Sequence, residues 1–219
     1  MRSPQPLITD MRKQRGANAR AGILRVADRL FAERGLDGAK TEAIAAAAGI
    51  NKALLFYYFK SKDALFRAVM ENHLEEFHRQ ASAVLSERAP APDVLLRYLS
   101  MHFDFIAQRP HYPALFLRLL MTDAELAARL TRRHFQPRAR QFEALIRRGV
   151  REGSFRPVDS THAAISLIAL VVFYFSAAPM VKNIAHISPF SKVSLEKRKR
   201  EVLEFVRFGL FREREAPRS

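Results

Sequence analysis

A lone glycine between two short helix-forming stretches constrains this chain more than any other feature. Gly49 follows the run from Thr41 to Ala48 and precedes the run from Ile50 to Phe59. Thr41 can cap a first short helix ending at Ala48, and Gly49 can adopt the left-handed turn that a side chain resists. Asn51 can cap a second helix from Lys52 to Phe59. Two short helices joined by a tight glycine turn cross at a steep angle, which is helix-turn-helix geometry. The small Ala45 permits close approach, and Ile44, Ile50, Leu55 and Phe59 can bury against a preceding helix. Lys52, Ala53, Leu54, Phe56, Tyr57 and Tyr58 are then left for the outer face or its edges. In such a motif the start of the second helix faces base edges in the major groove. Lys40 and Lys62 lie beyond the helix ends, where they can neutralise phosphates.

The remaining pattern is helical almost throughout. Residues 1–16 read as a loose basic arm. Ile23, Leu24, Ala27, Leu30 and Phe31 recur at three- and four-residue spacing in a helix over 17–34, which Gly35 closes. Ser61 can cap a helix running to about Ser86, with Asp63 in its first turn where the dipole favours an acid. Ala89-Pro-Ala-Pro92 is a break. Helical segments follow over 93–108, 112–121, 124–134 and 137–152, with Pro137 tolerable only in a first turn. Asp159 opens an apolar helix to about Val181, and a last helix runs over about 193–212. No stretch alternates as a strand flanked by hairpin turns. The fold class is all-α.

Composition removes several functional classes. The 219 residues contain no cysteine, so a disulfide scaffold, a thiolate zinc site and a cysteine nucleophile are excluded. His102, His111, His134 and His162 form no ligand spacing with a partner acid, so no metal is expected, and nothing calls for a cofactor. There is no Gly-x-Ser-x-Gly elbow or phosphate-binding Gly-Lys-Ser/Thr loop, which argues against an enzyme. The net charge is +15, which favours a polyanionic partner. That charge does not mark the site. Residues 1–75, 76–162 and 163–219 hold 13, 14 and 10 basic residues against 8, 9 and 5 acidic ones, a surplus of five each. Arg outnumbers Lys 28 to 9, which hints at a bacterial, GC-rich source. No secretory signal opens the chain, so the cytoplasm is the default location. Ala163 to Val181 runs 19 residues without a charge. Ser166, Tyr174, Ser176 and Pro179 interrupt it, and it reads as a helix buried in a bundle rather than a membrane span.

The Thr41–Leu65 window resembles the DNA-binding domain of the tetracycline-repressor (TetR) family of bacterial transcriptional regulators. Thr41, Ile44-Ala45, Ala48-Gly49, Leu55, Tyr58-Phe59, Lys62, Asp63 and Leu65 carry the resemblance, which spans about 50 residues with the first helix. Asn51 stands where the family usually has Ser, and both cap well. Phe56 replaces a tyrosine that often contacts DNA; it can pack on a thymine methyl but cannot bond a phosphate. The resemblance implies an arm over 1–16, a DNA-binding domain over 17–62 and a helical effector-binding and dimerisation domain over 63–219. DNA contacts are then expected from Lys40, Thr41, Lys52, Ala53, Leu54, Phe56, Tyr57, Tyr58 and Lys62, with Lys52 the chief hydrogen-bonding reader. Arg12, Lys13 and Arg15 of the arm could follow the backbone or enter a minor groove.

The resemblance further implies a homodimer through the last two long helices, reading a palindromic operator with half-sites about 34–36 Å apart. Leu195, Val202, Phe205, Val206, Leu210 and Phe211 lie near one face of the final helix, with Lys197 to Arg200 on its solvated side. An effector cavity should be apolar with a few polar groups. Tyr98, His102, Phe105, Ile106, Tyr112, Phe116, Phe142, Phe173 and Tyr174 are its candidate lining. They favour a hydrophobic or aromatic small molecule, with Arg118, Arg132, Arg133 and Arg140 available to an anionic one. The expected function is a ligand-responsive regulator, a repressor released from its operator by pendulum motion of the helix over 61–86. The rivals are an effector-independent dimeric DNA-binding protein and a membrane-associated basic helical protein.

Overall fold

A computed structural model describes residues 5–109 and 112–212, apart from the side chains of residues 5–15, 114, 118 and 122. His111 and the side chains of Arg12, Lys13, Arg15 and Arg118 therefore lie outside the described residues. Two compact units divide between His73 and Leu74.

The first unit is built on α1 (Gln5–Gly38), α2 (Thr41–Ala47), α3 (Lys52–Phe59) and the start of α4 (Lys62–Leu85). The helix of α1 begins at Gln5, so residues 5–16, expected as a loose arm, are helical. Pro6 falls in the first turn, where its missing N–H is not needed. Gly35, at φ 69° and ψ 176°, interrupts α1 one turn before its end. Ile23, Ala27, Leu30 and Phe31 of α1 are buried together with Ile44 of α2, Leu55 and Phe59 of α3, and Leu65 and Phe66 of α4. Phe31 and Phe66 meet edge to face at 5.3 Å. His73 Nε2 on α4 bonds Asp28 Oδ1 on α1 at 2.8 Å. Ser61 caps α4 as its position predicts, accepting from the Ala64 N–H at 3.0 Å.

The second unit contains the rest of α4 with α5 (Ala91–Ala107), α6 (Tyr112–Thr122), α7 (Ala124–Leu130), α8 (Gln136–Arg151), α9 (Ser160–Ser176), α10 (Ala178–Ala185) and α11 (Lys192–Leu210). Its core joins Val94, Leu95 and Leu99 of α5, Ile146 of α8, Val171 and Phe175 of α9, and Val202 and Val206 of α11. Among the described residues the only β pairing is an antiparallel bridge between Phe155 and Phe211.

Two helical segments differ from their sequence patterns. Residues 124–134 and 137–152 are not separate pieces: a π-helical turn over Thr131–Phe135 joins α7 to α8. The N–H of Gln136 reaches back five residues to the carbonyl of Thr131. Pro137 explains the widening, because its ring clashes with the carbonyl four residues earlier in an ordinary α-turn. The apolar helix expected to reach Val181 instead breaks at Ala177, where α9 and α10 meet at 77°. Pro179 sits in the first turn of α10, where it lacks the donor that would have continued α9. No single helix among the described residues is long and apolar enough to cross a membrane.

Candidate functional site

The turn between α2 and α3 has the geometry its glycine requires. Gly49 has φ +67° and its missing Cβ would meet open space, so backbone conformation rather than packing selects glycine. Asn51 caps α3 by accepting from the Leu54 N–H at 2.8 Å. Thr41 does not cap α2. Lys40 holds the cap position without a side-chain bond, and Thr41 is the first helical residue, its hydroxyl donating to Glu42 Oε2 at 3.2 Å. The backbone of residue 40 is extended while residue 41 is already helical, which leaves Thr41 facing the neighbouring acid.

The outer face of α3 carries Lys52, Ala53, Leu54 and Tyr57 exposed to solvent, Tyr57 by 70%. Phe56 and Tyr58 are half-buried at its edges. Tyr57 stands edge to face with Tyr58 at 5.4 Å, and Lys60 Nζ lies 5.7 Å from the Tyr57 ring centre. A Cβ on Gly16 would lie 3.6 Å from the Tyr58 hydroxyl, so that hydroxyl points toward α1. Lys40 is exposed, and Lys62 Nζ donates to the Asp37 carbonyl at 3.4 Å. Lys52, expected as the free reader, is paired: its ammonium donates to Glu42 Oε1 and lies 5.8 Å from the Phe56 ring centre. The hydrogen bond from Lys52 leads the influences that hold the Glu42 carboxyl at about 2. Sequence spacing missed this pair, because the ten-residue separation crosses the turn.

The second unit has a partly open cavity of about 470 Å³ between α4, α5, α6, α8 and α9. Tyr98, His102, Phe105, Ile106, Tyr112, Phe116 and Phe142 all line it. Tyr98 and Phe142 rings lie 4.4 Å apart, and Phe116 meets Phe135 at 5.0 Å. Phe173 and Tyr174 do not line it. Phe173 is 57% exposed on another side of α9, and the buried Tyr174 donates its hydroxyl to the Pro189 carbonyl at 2.9 Å. The cavity face of α9 is Thr161, Ala164, Ile165, Ile168, Val172 and Ser176, one helical stripe that excludes positions 173 and 174. Phe77, Phe135 and Arg138 were not anticipated. Phe77 was legible only as part of the long α4 pattern, whereas the π-helical turn that precedes α8 has no simple periodicity.

Polar groups on the cavity wall are few. His102 is only 8% exposed, and its Nδ1 is buried with no hydrogen-bond partner. Burial pushes its pKa down to about 4, so the imidazole is neutral near pH 7. Burial also pushes the Tyr98 and Tyr112 phenols up, and both stay protonated. Glu143 accepts from Arg147 Nη1 at 3.4 Å. Arg132, Arg133 and Arg140, considered for an anionic effector, are exposed and absent from the lining; Arg138 is the arginine present there. His134 is buried and His162 exposed.

The outward faces of α9 and α11 expose Phe173, Phe205 and Phe208, the last by 76%. Phe205 does not share the face of Val202, Val206 and Leu210, which are buried four residues apart. Lys197 and Arg200 are solvated as expected. Arg198 and Lys199 are not: Arg198 donates to the Leu170 carbonyl at 2.9 Å, and Lys199 pairs with Asp104 at 2.6 Å.

Comparison with known proteins agrees with this architecture. Residues 23–69 match bacterial regulatory proteins of the tetR family, and residues 92–206 match the tetracyclin repressor-like C-terminal domain. The chain belongs to the tetR family. This TetR-family regulator is 31% identical over 176 residues to the HTH-type transcriptional repressor NicS of Pseudomonas putida, covering 77% of this chain and 81% of NicS. It is 26% identical over 204 residues to the HTH-type transcriptional regulator RutR of Escherichia coli, covering 91% and 96% of the two chains. AibR, solved in complex with isovaleryl coenzyme A and operator DNA, shares the fold at a TM-score of 0.71 and 20% identity, over 85% and 97% of the chains.

Proposed function

We propose that this TetR-family regulator is a transcriptional repressor that binds a palindromic operator as a homodimer and leaves it when a small apolar or aromatic molecule fills the cavity. The outer face of α3 is the observation that carries the reading. Its inner side is packed through Leu55 and Phe59, while Leu54 and Tyr57 are left on the surface with no core to join. Apolar and aromatic groups so placed suit thymine methyls and sugar edges in a major groove. The resemblance to the repressor NicS, and the operator DNA and acyl-coenzyme A bound by AibR, support the same assignment. The cavity volume falls in the range of small-molecule sites.

Dimerisation uses the exposed aromatic face of α9 and α11, a patch of the kind that soluble monomers rarely leave uncovered. The effector acts by binding one arrangement of the dimer better than another, so its differential affinity is the coupling energy. The unbroken α4, which runs from one unit into the other, is the connecting element. The place of action is the cytoplasm, and no catalytic step belongs to the function.

Selection of DNA from a random pool by the purified full-length chain tests the reading. An enriched inverted repeat is expected, and small apolar compounds that raise the melting temperature should release it. Enrichment without a recoverable motif would sink the operator assignment. A motif that no stabilising compound releases would leave an effector-independent DNA-binding protein instead.

A further inference from the structure

Arg138 has two roles in the structure at once. Its side chain forms part of the cavity wall, and its guanidinium bonds α4. Nη1 lies 2.9 Å from His78 Nε2 and donates to Ser82 Oγ at 3.3 Å, and Nη2 also reaches His78 Nε2. Nε donates to Gln141 Oε1 at 3.2 Å on its own helix. Burial, followed by the Arg138 charge, pushes the His78 pKa down, so His78 is neutral and its Nε2 lone pair accepts. Arg138 is half-buried, and among the described residues it has no carboxylate partner. The two acids nearest in role are engaged elsewhere: Glu143 with Arg147, and Glu75 with Arg133 at 3.8 Å. A half-buried guanidinium satisfied only by neutral acceptors lacks its strongest class of partner, a bidentate oxyanion.

A second observation points into the same cavity. His102 Nδ1 is buried and unpartnered, and the centre of the imidazole ring lies 6.0 Å from that of Tyr98 and 4.6 Å from that of Phe77. An occupant of this cavity therefore meets a long apolar wall and one uncompensated cation, and one residue of that wall, His102, holds a buried imidazole nitrogen without a partner.

We infer that the effector is an organic acid with an apolar or aromatic body, and that its carboxylate draws Arg138 away from His78 and Ser82, releasing α8 from α4. This deepens the effector role proposed above and rests on that cavity being the effector site. Arg138 is the residue that converts occupancy into a change on α4, because its four α4-facing and local bonds compete directly with a carboxylate for the same donors. A neutral body of the same shape would leave the bonds to His78 and Ser82 intact. The acid and its amide are thus distinguished by charge alone.

The experiment uses the full-length chain and two matched pairs of probes, 4-phenylbutyrate with 4-phenylbutanamide and decanoate with decanamide, measured by titration calorimetry. Carboxylates are expected to bind at least about tenfold tighter than their amides, as a charge-assisted bidentate pair replaces bonds to neutral acceptors. Arg138→Met should reduce the acids to the affinity of the amides; if it does not fold, Arg138→Lys should still lose most of the preference. The double variant His78→Phe with Ser82→Ala keeps the cation and removes its competitors, so carboxylate binding should tighten by about threefold or more. Amide hydrogen exchange over residues 74–85 should rise with the acids and stay unchanged with the amides. Equal binding of acids and amides by the wild type would overturn the organic-acid assignment while leaving the cavity as an effector site. A preference that survives Arg138→Met would remove Arg138 from recognition. Acid binding without altered exchange over 74–85 would end its role toward α4. Failure of every probe to bind would take down both this inference and the effector cavity.

Discussion

Glu42 and Lys52 are hydrogen-bonded across the helix-turn-helix, and under the proposed function the pair governs how the reading face meets DNA. Lys52 must leave Glu42 before it can serve a phosphate or a guanine, so the acid is expected to work against affinity and in favour of selectivity. Glu42→Gln is expected to strengthen operator binding several-fold and to relax discrimination among related sites. Lys52→Ala should weaken specific binding and lower the slope of log affinity against log salt by up to about one. Fluorescence anisotropy across a salt series measures both, and an unchanged slope in Lys52→Ala would exclude a phosphate contact. His102 supplies a second residue-scale prediction. Its pKa falls to about 4 in the folded chain, so below its ordinary range the unfolded chain takes up a proton that the folded chain refuses. Stability should therefore decline as pH drops from about 6.5 toward 4, by about 2 kcal/mol at pH 5 from this group. Urea midpoints at pH 7 and 5 test it: His102→Leu should flatten the decline, and an equally steep profile in that variant would refute it.

Among the elements, the pairing of α8 with the chain after it depends on one missing side chain. A Cβ on Gly149 would lie 2.2 Å from Cδ2 of Phe155, whose ring is fully buried and stacks on Phe211 at 5.2 Å. The ring cannot withdraw, because the Phe155 N–H also bonds the Gly149 carbonyl at 3.0 Å. Gly149→Ala should cost about 1–3 kcal/mol, the usual penalty for overpacking a core, and lower the melting temperature by several degrees. A calorimetric scan showing no loss would mean that Phe155 finds another seat. Replacing Asn51 with Ala should cost about 1 kcal/mol through loss of the α3 cap. That loss would be read from denaturant midpoints.

The molecule as a whole needs a second copy to place two α3 helices on one duplex. The exposed Phe205 and Phe208 on α11 provide the most direct test. Phe205→Glu with Phe208→Glu should yield a monomer by light scattering and abolish operator binding while leaving the helical content unchanged. A variant that remains dimeric would move the interface elsewhere. The +15 charge acts at this scale too. Spread evenly along the chain, it speeds encounter with DNA without selecting a sequence, so raising salt should slow association of all sequences alike.

The local elements were legible from the sequence because their causes are local. Gly49, Asn51 and Ser61 set turns and caps through their own backbone and side chains, and the spacing of Ile23, Ala27, Leu30 and Phe31 marks a buried face wherever the partner comes from. Most of the aromatic lining followed for the same reason, since the α5 face through Tyr98, His102 and Phe105 repeats at helical intervals. What the sequence could not supply depended on rotation and on distant neighbours. Phe173 and Tyr174 lie on an apolar helix whose three sides look alike, and only packing decided that Ile165, Ile168 and Val172 face the cavity. The pairing of Lys52 with Glu42, and the reach of Arg138 from the cavity wall to α4, join residues 10 and about 60 positions apart. Periodicity reports which side of a helix is apolar. Only the tertiary fold determines what that side meets.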